Sequence, residues 1–272
     1  MYNENRKMSV EEQRQRIFQI LLFFDKVCRE QGICYSLTGG TLLGAVRHKG
    51  FIPWDDDVDV FLLRPEYEKL NAILQKQDEY IWITQNSEDW DDGYSRIIDP
   101  KTVIYDSELG DQKGMGLFID VCIVDGLPNN NISRSFFVAK MRALYRLRRS
   151  TFTQKKEDIP HNPLKRIFKQ FVRAGTTAIG PTFWTNMIKK NCDRYSVENS
   201  LYVANLLSQY GKKEILHKSG FDHYQEMLFE GVPFLVFNGW EEYLTNIYGD
   251  YMSLPPEENR KGHHYDKVYR RG

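Results

Sequence analysis

One stretch constrains this chain more than any other: residues 36–61, SLTGGTLLGAVRHKGFIPWDDDVDVF. It joins a Gly-Gly turn, a short apolar helix, a basic tip and a row of aspartates that enters a strand. Side chains at i and i+2 of a strand share a face, with Cα atoms about 6.5–7 Å apart. Asp57 and Asp59 therefore point the same way, and Val58, Val60, Phe61 and Leu62 place them in a segment that reads as buried. Buried carboxylates need a partner or a metal, and two at this spacing can share a divalent cation. By the same parity Asp56 points away, and it reads as part of a solvated turn.

Gly39 and Gly40 lie where a short strand (33–37) gives way to a helix (41–47). Glycines at such a junction let the backbone approach a ligand, and a helix N-terminus offers free N–H groups to an anion. A tight turn needing positive φ would use the same residues for a purely structural reason. Arg47, His48 and Lys49 follow one helix length later, a cluster that suits phosphates or a solvated loop equally.

A second acid stands out. The segment 117–124 is strongly apolar, yet it carries Asp120 among Phe118, Ile119, Val121 and Ile123. A lone charge there would be costly, which makes Asp120 a site candidate. Asp125 falls on the other face at the strand end and reads as a turn or helix-cap residue.

The rest of the chain reads as scaffold. Ser9 and Glu12 form a capping box, followed by Ile17, Leu21, Phe24 and Cys28 at helical spacing and by Gly32 as a stop. Helical patterns recur at 66–75, from 133 onward, at 164–172, 183–195 and 242–248. Strand patterns occur at 80–84, 95–98, 102–105 and 201–206, and 227–237 reads as a hairpin turning near Gly231, with Glu230 an ordinary hairpin residue. Residues 88–94 form an acidic aromatic loop, 110–116 a flexible turn and 150–163 a polar loop.

The 272 residues carry 37 acids and 37 bases. A neutral chain has no overall attraction to nucleic acid. Locally the balance is uneven: residues 50–130 hold 18 acids and 6 bases, and residues 134–173 hold 12 bases and 2 acids. The basic block could meet phosphates or an anionic surface. Four cysteines without metal-ligand spacing, three of them in apolar stretches, favour a reducing compartment. The first residues lack a signal-peptide core, and no apolar run approaches the roughly 20 residues needed to span a bilayer. The expectation is a cytoplasmic protein, with peripheral membrane contact through 134–173 as one reading of the basic block and a solvated helical bundle as the other.

The motif TGGTLLGAVRHKGFIPWDDDVDV, together with FIDVCIVDGLP and the ending YGDYMSLPPEENRKGHH, resembles the LicD family of phosphocholine transferases. That resemblance implies an α/β (α+β) fold. It implies a nucleotidyltransferase-like core with a mixed β-sheet flanked by helices, plus a mainly helical insertion and C-terminal region. The corresponding divisions are 1–130 for the catalytic core, 131–200 for the helical basic region and 201–272 for a part completing the site. It implies Gly39, Gly40 and Thr41 as the phosphate-holding turn, and Asp57, Asp59 and Asp120 as catalytic metal ligands. Arg47, His48, Lys49, Trp54, Arg260, His263 and His264 become substrate-binding candidates. The implied cofactor is Mg²⁺, with Mn²⁺ as an alternative.

The implied reaction transfers phosphocholine from CDP-choline to a hydroxyl of a surface glycan, a lipopolysaccharide or a teichoic acid precursor, releasing CMP. Aromatic faces bind quaternary ammonium groups, and Trp54, Trp90, Tyr94 and Trp240 are the candidates. Two alternatives stay open: another donor, such as CDP-ribitol or CDP-glycerol, and a non-catalytic nucleotide- or glycan-binding relative.

Overall fold

The computed structural model describes residues 6–84, 94–106, 110–111, 115–152, 162–260 and 267–271. Trp90, His263 and His264 lie outside the described residues, as does most of the 88–94 and 150–163 loops.

The chain enters through helix α1 (Val10–Glu30). Its capping box is present: the Ser9 hydroxyl accepts from the Glu12 N–H at 3.2 Å, and the Glu12 carboxylate accepts from the Ser9 N–H at 2.8 Å. Ile17, Ile20, Leu21, Phe24 and Cys28 form its buried stripe, and Gly32 at φ +62° ends the turn. Strand β1 (Ser36–Leu37) is shorter than the sequence pattern suggests, because only these two residues find a ladder partner. Helix α2 (Gly39–Arg47) follows, then β2 (Asp59–Leu63), α3 (Arg64–Leu74) and β3 (Ile81–Ile83). Strands β4 (Ser95–Ile98), β5 (Thr102–Asp106), β6 (Gly110–Asp111) and β7 (Phe118–Gly126) complete the first half.

The central sheet runs β1-β2-β7-β4-β3. Strands β2 and β7 are parallel and the other pairs antiparallel, so the sheet is mixed. Strand β7 is buried along its whole length, as its apolar run demands. The β2–β7 register sets Asp59 directly beside Asp120. Two acids far apart in sequence thereby meet at one edge of the core.

Asn130 caps α4 (Asn131–Arg149), accepting from the N–H groups of Ile132 and Ser133, so this helix begins before the apolar pattern shows. Helices α5 (Pro163–Ile179) and α6 (Pro181–Cys192) follow. Phe137, Met141 and Leu144 of α4 pack with Ile188 and Cys192 of α6 in a second apolar cluster. Strand β8 (Tyr202–Ala204) then pairs with the end of β7, and β9 (Leu216–His217) pairs with β8.

The hairpin β10 (Tyr224–Phe229) and β11 (Val232–Phe237) turns at Glu230 and Gly231, both at positive φ, as a two-residue turn matched to strand twist requires. Helix α7 (Trp240–Tyr248) inserts Tyr243, Leu244 and Ile247 into the main core. Strand β12 (Val268–Arg270), which no sequence pattern announces, pairs with β5. Leu216, Phe221, Phe234 and Leu244 thus share the main core with the first half, whereas Ala204, Leu206 and Leu207 join the second cluster.

Candidate active site

A cavity of about 640 Å³ opens beside the β2–β7 pair, within the size range of small-molecule sites. One side is acidic: Asp55, Asp57, Asp59 and Asp120 line it together with Gly39, Gly40, Arg47 and Trp54. The rest of the lining includes Tyr210, Tyr243 and Tyr248 with Glu214, the aromatic side of the cavity, and the polar Asn205, Ser208 and Gln209.

The acids crowd one another. Burial, then Asp120, then Asp56 push the Asp57 carboxyl up to about 6, while a hydrogen bond with Asp55 works the other way. Asp59 is raised well above the usual carboxylate range by burial, then by Asp57 and Asp120, with Arg96 opposing. Like charges at close range disfavour the ionised form. Arg96 sits opposite Asp120 in the β4–β7 register; its Nε donates to Asp120 Oδ1 at 2.5 Å, and its guanidinium lies 3.7 Å from the Phe118 ring centroid. The carboxylate that reads as a lone charge in the sequence thus has a cation on the neighbouring strand.

The Gly-Gly turn explains how the acids come so close to the start of α2. Gly39 adopts φ +54°, and a Cβ there would stand 2.9 Å from Asp59 Oδ2. A Cβ on Gly40 would stand 2.4 Å from Asp55 Oδ2. Any side chain would push the carboxylates away from the helix N-terminus, whose free N–H groups favour negative charge. Thr41 acts on the scaffold: its hydroxyl accepts from the Asp59 N–H at 2.9 Å, and it does not line the cavity.

Asp56 differs from the sequence expectation, whereas Asp55, of the same parity as Asp57 and Asp59, lines the cavity with them. Asp56 does face elsewhere, but not to open solvent. It borders a smaller cavity of about 160 Å³ that Arg96, Phe118 and Gln13 share with Asp57 and Asp120, and burial and then Asp55 push its carboxyl up to about 7.

The basic cluster divides. Arg47 lines the cavity, and its Nη1 donates to the carbonyls of Tyr251 and Ser253 at 2.9 and 3.2 Å, tying the segment after α7 to the site. His48 caps α2 with its ring edge-on to Trp54, and Lys49 is exposed; neither lines the cavity. Arg260 stacks over Trp54 at 5.4 Å and donates to the Pro255 carbonyl. Of the aromatic candidates, Trp54 and Tyr94 line the cavity and Trp240 does not.

Asp125, read from sequence as a turn or cap residue, lies within β7 and forms a two-point ion pair with Arg64 at 2.7 and 2.8 Å. Cys28, Cys122 and Cys192 are buried and Cys34 is exposed.

Could this site hold a divalent cation? Among the described residues no three His, Cys, Asp or Glu groups form a ready ligand set. Magnesium, however, is commonly held by one or two carboxylates plus substrate phosphates and water. Asp57 and Asp59, two oxygen donors with raised carboxyls facing one cavity, fit that pattern.

Comparison with known proteins places the chain. Residues 32–122 match the family described as LicD/FKTN/FKRP, nucleotidyltransferase domain. The chain is also 34% identical over 274 aligned positions to the lipopolysaccharide cholinephosphotransferase LicD of Haemophilus influenzae, covering 97% of this chain and 99% of that protein. This chain belongs to the LicD family. The sequence motifs that resemble that family are thereby borne out. An uncharacterised protein of Rickettsia prowazekii is 35% identical over 63 residues, 23% of this chain and 24% of that one.

The LicD-family domain match contains the Gly-Gly turn and every acid at the acidic side of the cavity. It stops before the aromatic side, which later elements supply. Sequence reading missed those residues, and it missed Arg14 too. From α1, Arg14 donates to the carbonyls of Ile52, Pro53 and Asp55, fixing the loop that leads into the acids. Glu230 also does more than turn a hairpin: its carboxylate accepts from the Phe51 N–H at 2.9 Å and braces the same loop.

Proposed function

We propose that this chain transfers phosphocholine from CDP-choline to a hydroxyl of a lipopolysaccharide-type surface glycan, releasing CMP. The observation that carries the reading is full-length similarity to a lipopolysaccharide cholinephosphotransferase in a chain whose main cavity gathers four carboxylates beside a helix N-terminus. A teichoic acid precursor is the alternative acceptor.

In the proposed reaction a glycan oxygen forms a bond to the choline-bearing phosphorus, and the bond from that phosphorus to the CMP oxygen breaks. Asp57 and Asp59 would hold Mg²⁺, which supplies charge neutralisation at the diphosphate. Asp120, oriented by Arg96, takes the hydroxyl proton. Gly39 and Gly40 leave room for the phosphates at the start of α2, and Arg47 adds positive charge beside them. Incubation with Mg²⁺ and a panel of CDP-alcohols, with and without glycan acceptor, tests this through CMP release. Turnover of CDP-choline is expected; turnover of CDP-ribitol or CDP-glycerol in its place would overturn the donor assignment.

The acceptor's lipid anchor gives α5 a role. Leu164, Ile167, Phe168 and Phe171 are exposed on it, and Lys165, Arg166, Lys169 and Arg173 share a helix that carries no acid. Such a basic amphipathic helix suits the surface of an anionic bilayer, each base adding about 1 kcal/mol near the surface. A second copy of the same helix would bring like charges together. Among the described residues no helix is long and apolar enough to cross a membrane. Cosedimentation with phosphatidylglycerol-containing vesicles is expected for the protein and is lost in Phe168→Asp/Phe171→Asp. Equal sedimentation of both, or equal binding to purely zwitterionic vesicles, would remove this role.

A further inference from the structure

The aromatic side of the cavity holds a carboxylate without a counter-charge. Glu214 is 2% exposed, at the end of a 3-10 turn. Its Oε1 accepts from the Ser208 hydroxyl at 2.5 Å, while Oε2 is buried with no hydrogen-bond partner in the protein. Among the described residues no lysine, arginine or histidine pairs with it. The nearby bases are engaged elsewhere: Lys213 donates to the Ile247 carbonyl and Arg142 to the Gln209 carbonyl. Burial raises the Glu214 carboxyl to about 7, the Ser208 hydrogen bond opposing.

A buried carboxylate facing a cavity calls for a cation from outside. The walls around Glu214 say which kind. Tyr210 and Tyr248 meet at 6.2 Å with their planes at 70°, and Tyr243 packs edge-on to Phe61 at 5.3 Å. The charge of Glu214 bears on both Tyr210 and Tyr243. A small divalent ion wants several oxygen ligands; of the oxygen-bearing side chains that line the cavity with Glu214, the Ser208 hydroxyl is spent on Oε1 and Asn205 Oδ1 accepts from the Leu207 N–H. A large monocation that donates no hydrogen bonds is what aromatic faces and one carboxylate accommodate. The charge of Asp59 reaches Tyr210 and Tyr248, so this end adjoins the acid cluster where the diphosphate would sit.

We propose that Glu214 with the rings of Tyr210, Tyr243 and Tyr248 forms the seat for the donor's quaternary ammonium group, and so selects a choline-bearing donor over a polyol-bearing one. This rests on the phosphocholine-transfer reading and sharpens it, since the acidic end alone does not distinguish CDP-choline from CDP-glycerol.

The test is binding, measured by calorimetry without acceptor. The wild-type protein is expected to bind CDP-choline more tightly than CDP or CDP-glycerol. Glu214→Gln keeps the shape and the Ser208 contact, and is expected to weaken CDP-choline binding on the order of 30-fold while leaving CDP and CDP-glycerol within about twofold. Tyr210→Phe is expected to retain the preference and Tyr210→Leu to lose it. Equal losses for all three ligands in Glu214→Gln, or no loss for any, overturn the seat. Free phosphocholine, followed by ligand-observed NMR, separates this inference from the reaction. Phosphocholine held by wild type but not by Glu214→Gln, with no cytidine nucleotide bound, would support the seat and sink the CDP-donor reading. No preference for a choline-bearing ligand in either experiment overturns the seat.

Discussion

Asp120 and Asp125 lie on the same buried strand and face opposite sides of it. Asp125 meets Arg64 in a two-point pair, and Glu68 adds a second, exposed carboxylate 3.5 Å from the same guanidinium; neither acid lines the large cavity. Asp120 meets Arg96, but that cation is shared with a neighbourhood that also holds Asp55, Asp57 and Asp59. Burial and apolar neighbours are alike at the two positions. What separates them is the local ratio of acids to bases and the presence of a space for something to enter. A carboxylate matched by its own guanidinium stabilises the fold, whereas an excess of carboxylates beside a cavity can take a cation from outside.

The sharpest way to break this contrast is substitution at each end. Asp57→Asn or Asp59→Asn should reduce phosphocholine transfer by about 10³-fold or more while the far-ultraviolet circular dichroism stays native. Near-normal activity in either variant would show that the cluster is not the catalytic centre. Asp125→Asn should do the reverse. It removes the buried partner of Arg64, leaving only the exposed Glu68 at 3.5 Å, and should cost about 3 kcal/mol in urea unfolding, while protein that remains folded keeps its transfer activity.

The pH dependence of metal-free protein probes the same difference. Asp57 has a folded-state carboxyl near 6 against an unfolded value near 3.8. The folded state therefore holds a proton that the unfolded state releases, and this group destabilises the fold at neutral pH. Its contribution should be recovered as pH falls through about 6 toward 4, amounting to about 1–2 kcal/mol. In chelator, urea midpoints should rise over that window in wild type, and the rise should shrink in Asp57→Asn, which should also be the more stable protein at pH 7. A smaller effect is expected from Arg14→Ala. Releasing the 52–55 carbonyls should lower kcat/KM by about tenfold without abolishing it, because the acids remain but their loop loosens.

Much of the scaffold was legible in the chain itself. The capping box of α1, the Gly32 stop, strand β4 and the turn of the hairpin at Glu230–Gly231 depend on local chemistry, and they lie where local chemistry puts them. Asp57 and Asp59 come close as their spacing suggests, although Asp57 stands just before β2 rather than within it. What was not legible depends on partners distant in sequence. The Arg96–Asp120 pair exists because β4 and β7 align those two residues. Asp55 enters the cavity because Gly40 leaves room for its carboxylate and Arg14 holds its carbonyl. Glu214 looks like one more surface acid in the run GKKE until Ser208 and the tyrosines close over it. Strand β12 is three residues long and is defined by partners far away in sequence, β5 on one side and Lys7 and Met8 on the other.

The most direct test of phosphocholine transfer at this acid cluster is mass spectrometry of a lipopolysaccharide-type glycan acceptor. The acceptor is incubated with Mg²⁺, CDP-choline and either wild-type protein or Asp59→Asn. The predicted result is addition of one phosphocholine to a glycan hydroxyl by wild type, with one CMP released per glycan modified, and no addition by the variant. CMP release without a modified glycan, or equal modification by both proteins, would contradict the account.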